Sequence, residues 1–267
     1  MLRNVFLKTL RDRRRALLWW GIGLLGLVLY TLLFYPTVRD SAAELNKLME
    51  EMPAALKAMF VGEMSDFTSP AGYLRAELFS FMVPAVFLIF AIGFGSGAIA
   101  AEEERGTLDL LLSNPLSRWR VVVEKFAALV VSTILLAFVL WLGMAVGAAA
   151  VGLGIGLGRM AEAAASVALL GLAFGALALA VGCASGNRGM SMSLASALAV
   201  AAYLLNSFAP TVEALKPYVK LSPFYYYIGA NPLVNGLNPG HVVVLIGLIV
   251  VFMATALITF DRRDLAV

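Results

Sequence analysis

Three consecutive carboxylates, Glu102, Glu103 and Glu104, open the stretch of the sequence with the most concentrated chemistry. They follow a long apolar run and precede Arg105, Gly106, Thr107 and the mostly apolar run Leu108-Asp109-Leu110-Leu111-Leu112. Anions at the C-terminal end of a helix sit at the unfavourable end of its dipole. The three acids therefore need basic partners, either in Arg105, Arg118 or Arg120 or on another protein. Gly106 can end or bend the preceding helix. Residues 107–112 then make one or two apolar turns that include Leu108 and Leu111, and Ser113-Asn114-Pro115 stops them. Such a short apolar helix suits docking into a groove on a soluble protein. It suits equally a re-entry turn that anchors the chain at a membrane interface. A second chemistry to weigh is nucleophilic. Ser96 lies in Gly93-Phe94-Gly95-Ser96-Gly97, and His241 is the single imidazole. The pair would have to meet within about 3 Å to act as nucleophile and base.

The composition decides what kind of molecule positions these groups. Hydrophobic residues make up 61% of the 267 positions and charged residues 14%. Counted with Gly in place of Tyr, the apolar share is about 67%, against about 45–50% for soluble chains. The mean hydropathy is +0.88. A soluble fold could not cover so much apolar surface with so few charges, so the class is all-α integral membrane. One Cys and one His leave no set for a zinc, haem or iron–sulfur site built from these residues in one chain. The net charge of +3 is small, and the basic residues sit near the ends of apolar runs. That pattern sets membrane orientation rather than nucleic-acid binding.

A bilayer core about 30 Å thick needs about 20 apolar helical residues. Six stretches qualify as spans: 16–35, 78–101, 126–150, 163–187, 189–209 and 242–260. The third uncharged run continues to Gly158, too long for one straight span, and leaves the membrane within the Gly152–Gly158 repeat. Residues 185–189 form the turn between the fourth and fifth. The first run is 20 residues long without a small-residue cleavage site, so it reads as a span and not as a cleaved signal. With the N-terminus inside, thirteen of the 20 Lys and Arg residues lie in inner segments and seven in outer ones, which favours N-in and C-in. Residues 2–15 read as an amphipathic helix on the inner surface, with Leu2, Val5, Phe6 and Leu10 on one face and arginines able to reach lipid phosphates. With the spans as drawn, Ser96 and His241 fall at opposite faces of the bilayer, which sets the hydrolase reading aside. No span carries a charge in its middle, which argues against an ion-coupled transporter.

Two outer segments remain. Residues 37–76 carry Leu45, Leu48, Met49, Met52, Leu56, Met59 and Phe60 at three- and four-residue steps, one stripe of a helix that caps the spans or contacts a substrate. Residues 210–240 hold a short helix at about 211–219 and an aromatic run, Phe224-Tyr225-Tyr226-Tyr227, suited to an interfacial belt. The pairs Gly93/Gly97, Gly143/Gly147 and Gly171/Gly175 allow close helix approach within or between chains.

The run from Glu102 to Arg118, followed by Glu124-Lys125-Phe126, resembles the signature of ABC-2-type permeases, the membrane subunits of type-2 (type V) ABC exporters. Leu221–Tyr227, Asn231-Pro232-Leu233, the six spans and the inner-surface N-terminal helix extend that resemblance over the chain. The resemblance implies that 102–118 contains a cytoplasmic coupling helix, with Glu102, Glu103, Glu104, Gly106, Thr107, Leu108 and Leu111 at the contact with an ATPase. It also implies that the second and fifth spans face a partner permease, with Phe81, Pro84, Phe87, Tyr203, Asn206 and Phe208 lining the path. The chain has no G-x-x-x-x-G-K-[ST] loop, so ATP and Mg belong to a separate ATPase. The implied assembly is two permeases, a homodimer or a heterodimer with a paralogue, with two ATPase copies at the cytoplasmic membrane. A hydrophobic or amphipathic cargo (a drug, an antibiotic or a lipid-like molecule) suits the apolar, aromatic spans. The alternatives are a secondary transporter or a membrane scaffold without ATP coupling.

Overall fold

The computed structural model describes residues 4–41, 47, 69–107 and 117–263. Among these the regular structure is helical throughout, without strands. In chain order the helices are α1 (Val5–Asp40), α2 (Pro70–Ala98), α3 (Ala100–Glu104), α4 (Arg118–Val151), α5 (Leu157–Ser185), α6 (Arg188–Phe208), α7 (Pro223–Ile228), α8 (Pro232–Asn235) and α9 (Pro239–Arg262). A 3-10 helix, Glu213–Leu221, lies between α6 and α7. Six of these, α1, α2, α4, α5, α6 and α9, are long and apolar enough to cross a membrane.

The boundaries follow from local chemistry. Asn4 caps α1 by accepting the Phe6 N–H, and Asn187 caps α6 by accepting that of Met190. The expected surface helix over 2–15 is not a separate element. One uninterrupted helix runs from Val5 to Asp40, because 4–15 contains no Gly or Pro that would break it. At 1.5 Å per residue this helix is about 54 Å long, well beyond a hydrocarbon core of about 30 Å, so the arginine cluster extends the first span past its apolar part. The glycine repeat separates α4 from α5 as expected, and the chain leaves α5 through Gly186 at φ +65, where a side chain would be strained. The helical stripe expected between 45 and 60 lies outside the described residues.

Helix α5 occupies the centre. Of its most apolar window 78% is buried, against 17% for α6 and for α9, and α2, α4, α6 and α9 all pack around it. α1 packs along α4. The glycine pairs show how the close contacts are made within one chain. Gly143 and Gly147 receive Leu25, Val28 and Leu32 of α1, and Gly171 and Gly175 receive Phe87, Ala91 and Leu129. A Cβ on Gly95, rather than on Gly93, would overlap the Gly175 carbonyl oxygen. These small residues let backbones approach where apolar lipid gives no drive for burial.

Candidate functional site

The three carboxylates lie on α3, a short helix offset from α2 by a break at Ile99 (φ −113, ψ −54). Each reaches a different helix. Glu102 pairs with Lys125 of α4, whose side chain is only 5% exposed. Glu103 pairs with Arg263 at the end of α9. Glu104 accepts the backbone N–H of Arg188, the first residue of α6, at 2.8 Å, the favourable end of that helix for an anion. The partners expected in Arg105, Arg118 or Arg120 are therefore not the ones used. Arg118 instead donates to the carbonyls of Arg263 (2.7 Å) and Phe260 (3.3 Å) at the C-terminal end of α9. Arg120 pairs with Glu124 at 2.8 Å, and Glu124 also accepts the Phe6 N–H of α1 at 3.1 Å. Arg263 closes the group by donating to the Cys183 carbonyl of α5 at 2.9 Å.

One end of the helical bundle thus gathers the start of α1, the end of α2, the start of α4, the α5–α6 turn and the end of α9. We call it the basic end. Two described residues, Glu103 before residue 105 and Arg118 after residue 117, both bond to the end of α9. Gly106, at φ +65, and Thr107 turn the chain out of α3: their N–H groups donate to the carbonyls of Glu103 and Glu102, and the Thr107 hydroxyl adds a second bond to Glu102. Leu108 and Leu111 lie outside the described residues. Lys125 and Arg263 were missed in the sequence as partners. The usable signal was a charge directly ahead of, or just after, a long apolar run, where burial demands a counter-ion.

The residues expected along a pathway fall into two groups. Phe81 (58% exposed) meets Tyr203 with ring centroids 5.6 Å apart, and Tyr203 meets Phe224 at 5.5 Å. These rings, with Pro84, Leu88 and Ser196, line a groove of about 240 Å³ between α2 and α6. Phe87 does not line it. It is fully buried against Gly171 and belongs to the α2–α5 core. Asn206 and Phe208 lie further along α6, outside the groove, half-buried and exposed respectively. Phe224 is the addition that the sequence did not single out from its aromatic run.

Pro84 explains the backbone beside this groove. Residues Arg75–Met82 form a π-helical segment, and the Val83 N–H bonds to the Leu78 carbonyl, five residues back. The Phe79 carbonyl loses Val83 as a donor, and the next residue, Pro84, has no N–H to offer. The Tyr227 hydroxyl takes the place of both, donating to Phe79 O at 2.8 Å. Ser166 donates to the Tyr227 carbonyl at 2.7 Å, so α2, α5 and α7 are joined at one residue. Tyr227 is buried, and burial pushes its phenol well above the usual range. Ser96 and His241 are not brought together. The Ser96 hydroxyl donates to the Gly93 carbonyl, while His241 sits against the rings of Tyr225 and Tyr226, 5.3 Å from each.

A family model described as ABC-2 family transporter protein matches residues 3–265, almost the whole chain, and the protein belongs to that family. No curated protein matches it.

Proposed function

We propose that this member of the ABC-2 family is the permease of an ATP-driven exporter and that its basic end faces the cytoplasm. Family membership makes it a multi-pass membrane component of an ABC transporter and not itself the ATPase. The direction, the cargo and the coupling route are our reading. In it, two copies of the chain in the cytoplasmic membrane work with two ATPase subunits, which hold ATP and Mg. Residues 105–117, with Leu108 and Leu111, dock on the ATPase.

The observation that carries this reading is the anchoring of that loop. A segment that only re-enters the membrane needs no fixed link to distant helices. Here the flanks are bonded to α4, α6 and α9 by Glu102, Glu103, Glu104 and Arg118. In this reading a push on the loop is passed through Glu104 to α6, which forms one wall of the aromatic groove. The acids act as transmission residues inside the chain, in place of the direct ATPase contacts that the resemblance implies. A groove walled by Phe81, Tyr203 and Phe224 with one serine suits a hydrophobic or amphipathic cargo. α2 and the thinly buried α6 flank it on a face open to a second copy.

The test is the double variant Leu108→Asp/Leu111→Asp. Charges forced into a desolvated apolar contact cost several kcal/mol, while the spans are untouched. Insertion should be normal, and ATPase co-purification or transport-coupled hydrolysis should be lost. Retention of both ATPase and full transport would remove the coupling role from this loop.

A further inference from the structure

We infer that the basic end holds a phosphate-binding notch between Arg13 of α1 and Arg188 of α6, closed underneath by Gly97 of α2. The geometry starts at Gly97. A Cβ built there would lie 3.3 Å from Arg13 Nη2 and 3.6 Å from Arg188 Nε, so two guanidinium groups converge within about 7 Å of each other over a residue without a side chain. Neither makes a direct salt bridge among the described residues, although Glu102 acts on Arg13 through space. The Arg13 guanidinium lies 4.0 Å over the centroid of the buried Phe94 ring, and such stacking leaves the in-plane N–H groups free to donate. Arg188 gives its backbone N–H to Glu104, but its side-chain Nε is buried with no acceptor.

Two cations placed this close repel each other, and a buried N–H without an acceptor costs stability. The nearby carboxylates do not cancel this charge. Glu102 and Glu103 each give one carboxylate oxygen to Lys125 and Arg263, their other oxygens are buried without a donor, and Glu102 acts on Arg13 only through space. Glu104 faces the α6 backbone, and Arg105, exposed beside them, makes no ion pair within the described chain. A tetrahedral oxyanion can place one oxygen on each guanidinium at about 2.7–2.9 Å and relieve the repulsion and the orphan donor together. A monovalent or divalent phosphate group fits the chemistry. Its source is either the headgroup of an anionic lipid, reached sideways from the leaflet at the ends of α1 and α6, or a soluble phosphate.

The notch differs from the general basic character of this end. Arg14 and Arg15 neighbour Arg13 in sequence but are exposed, and neither approaches Gly97. That difference gives the control. The full-length protein, in nanodiscs of phosphatidylcholine with a small fraction of phosphatidylglycerol, is released into the gas phase, and bound phosphatidylglycerol is counted by native mass spectrometry. A parallel arm measures the thermal shift with millimolar inorganic phosphate. Arg13→Gln/Arg188→Gln should lower retention of the anion about tenfold. Gly97→Val, which keeps both charges and fills the notch, should do the same while far-UV helicity stays unchanged. Arg14→Gln/Arg15→Gln should retain it. Loss of lipid alone assigns the site to the headgroup, and loss of the phosphate shift assigns it to a soluble ion. Equal loss in the Arg14/Arg15 control, or retention in both the double Arg variant and Gly97→Val, would overturn the notch.

Discussion

The two ends of this helical bundle are fastened by different chemistry. At the basic end, long charged side chains cross between helices: Glu102 to Lys125, Glu103 to Arg263, Arg118 to the end of α9. At the opposite, aromatic end, hydroxyls donate to backbone carbonyls over long sequence distances: Tyr227 to Phe79, Tyr73 to Thr31, Ser222 to Ala202. An ion pair keeps much of its attraction as its partners shift by an ångström, because the Coulomb term falls slowly with distance. A hydroxyl–carbonyl bond weakens steeply once its angle opens. Under the proposed function, the difference suits one end to carry motion between helices and the other to hold α2, α5 and α7 together.

The contrast can be broken most forcefully at Lys125. Glu102→Gln leaves that buried ammonium without its counter-charge and should lower stability by about 3–5 kcal/mol. Adding Lys125→Met should recover most of the loss. Thermal unfolding of the detergent-purified single and double variants reads this directly. If the double variant is no better than the single, the pair is not what joins α3 to α4.

At the aromatic end, Tyr227→Phe leaves the Phe79 carbonyl buried without a donor, an expected cost of about 1–3 kcal/mol. It should be insensitive to ionic strength, since no charge is removed. A strong salt dependence of the Tyr227→Phe defect would argue that the two ends do not differ in the way described.

A smaller effect is expected at Glu104, whose carboxylate caps the start of α6. Glu104→Ala should cost about 1 kcal/mol, the usual size of a lost N-terminal helix interaction. Hydrogen exchange should localise it to the first turn of α6; protection unchanged there would deny the cap. The smallest effect should come from an exposed ion pair at the aromatic side of α5, Arg159–Glu162 at 2.9 Å, with side chains 44% and 38% exposed. Arg159→Ala should shift stability by less than about 1 kcal/mol. A larger loss would mean that the aromatic end also relies on charge.

The sequence by itself determined the membrane class, the count of six candidate spans and the two glycine turns on either side of α5, because those depend on local hydropathy and on backbone rules that act within a few residues. The Gly152–Gly158 break and the 185–189 turn fall where the glycines placed them. The acidic triad was also legible as a group that needs counter-charges. Which cations answer it was not, since Lys125 and Arg263 are 23 and 160 residues away from their acids and meet them only when α2, α4 and α9 pack around α5. The same packing turned Phe87 from a lining residue into core, made Phe224 a wall of the groove, and set Arg13 beside Arg188 across Gly97. Side-chain direction on a helix can be read from period, but which helix lies opposite is a property of the whole bundle, fixed by where small residues let two backbones touch.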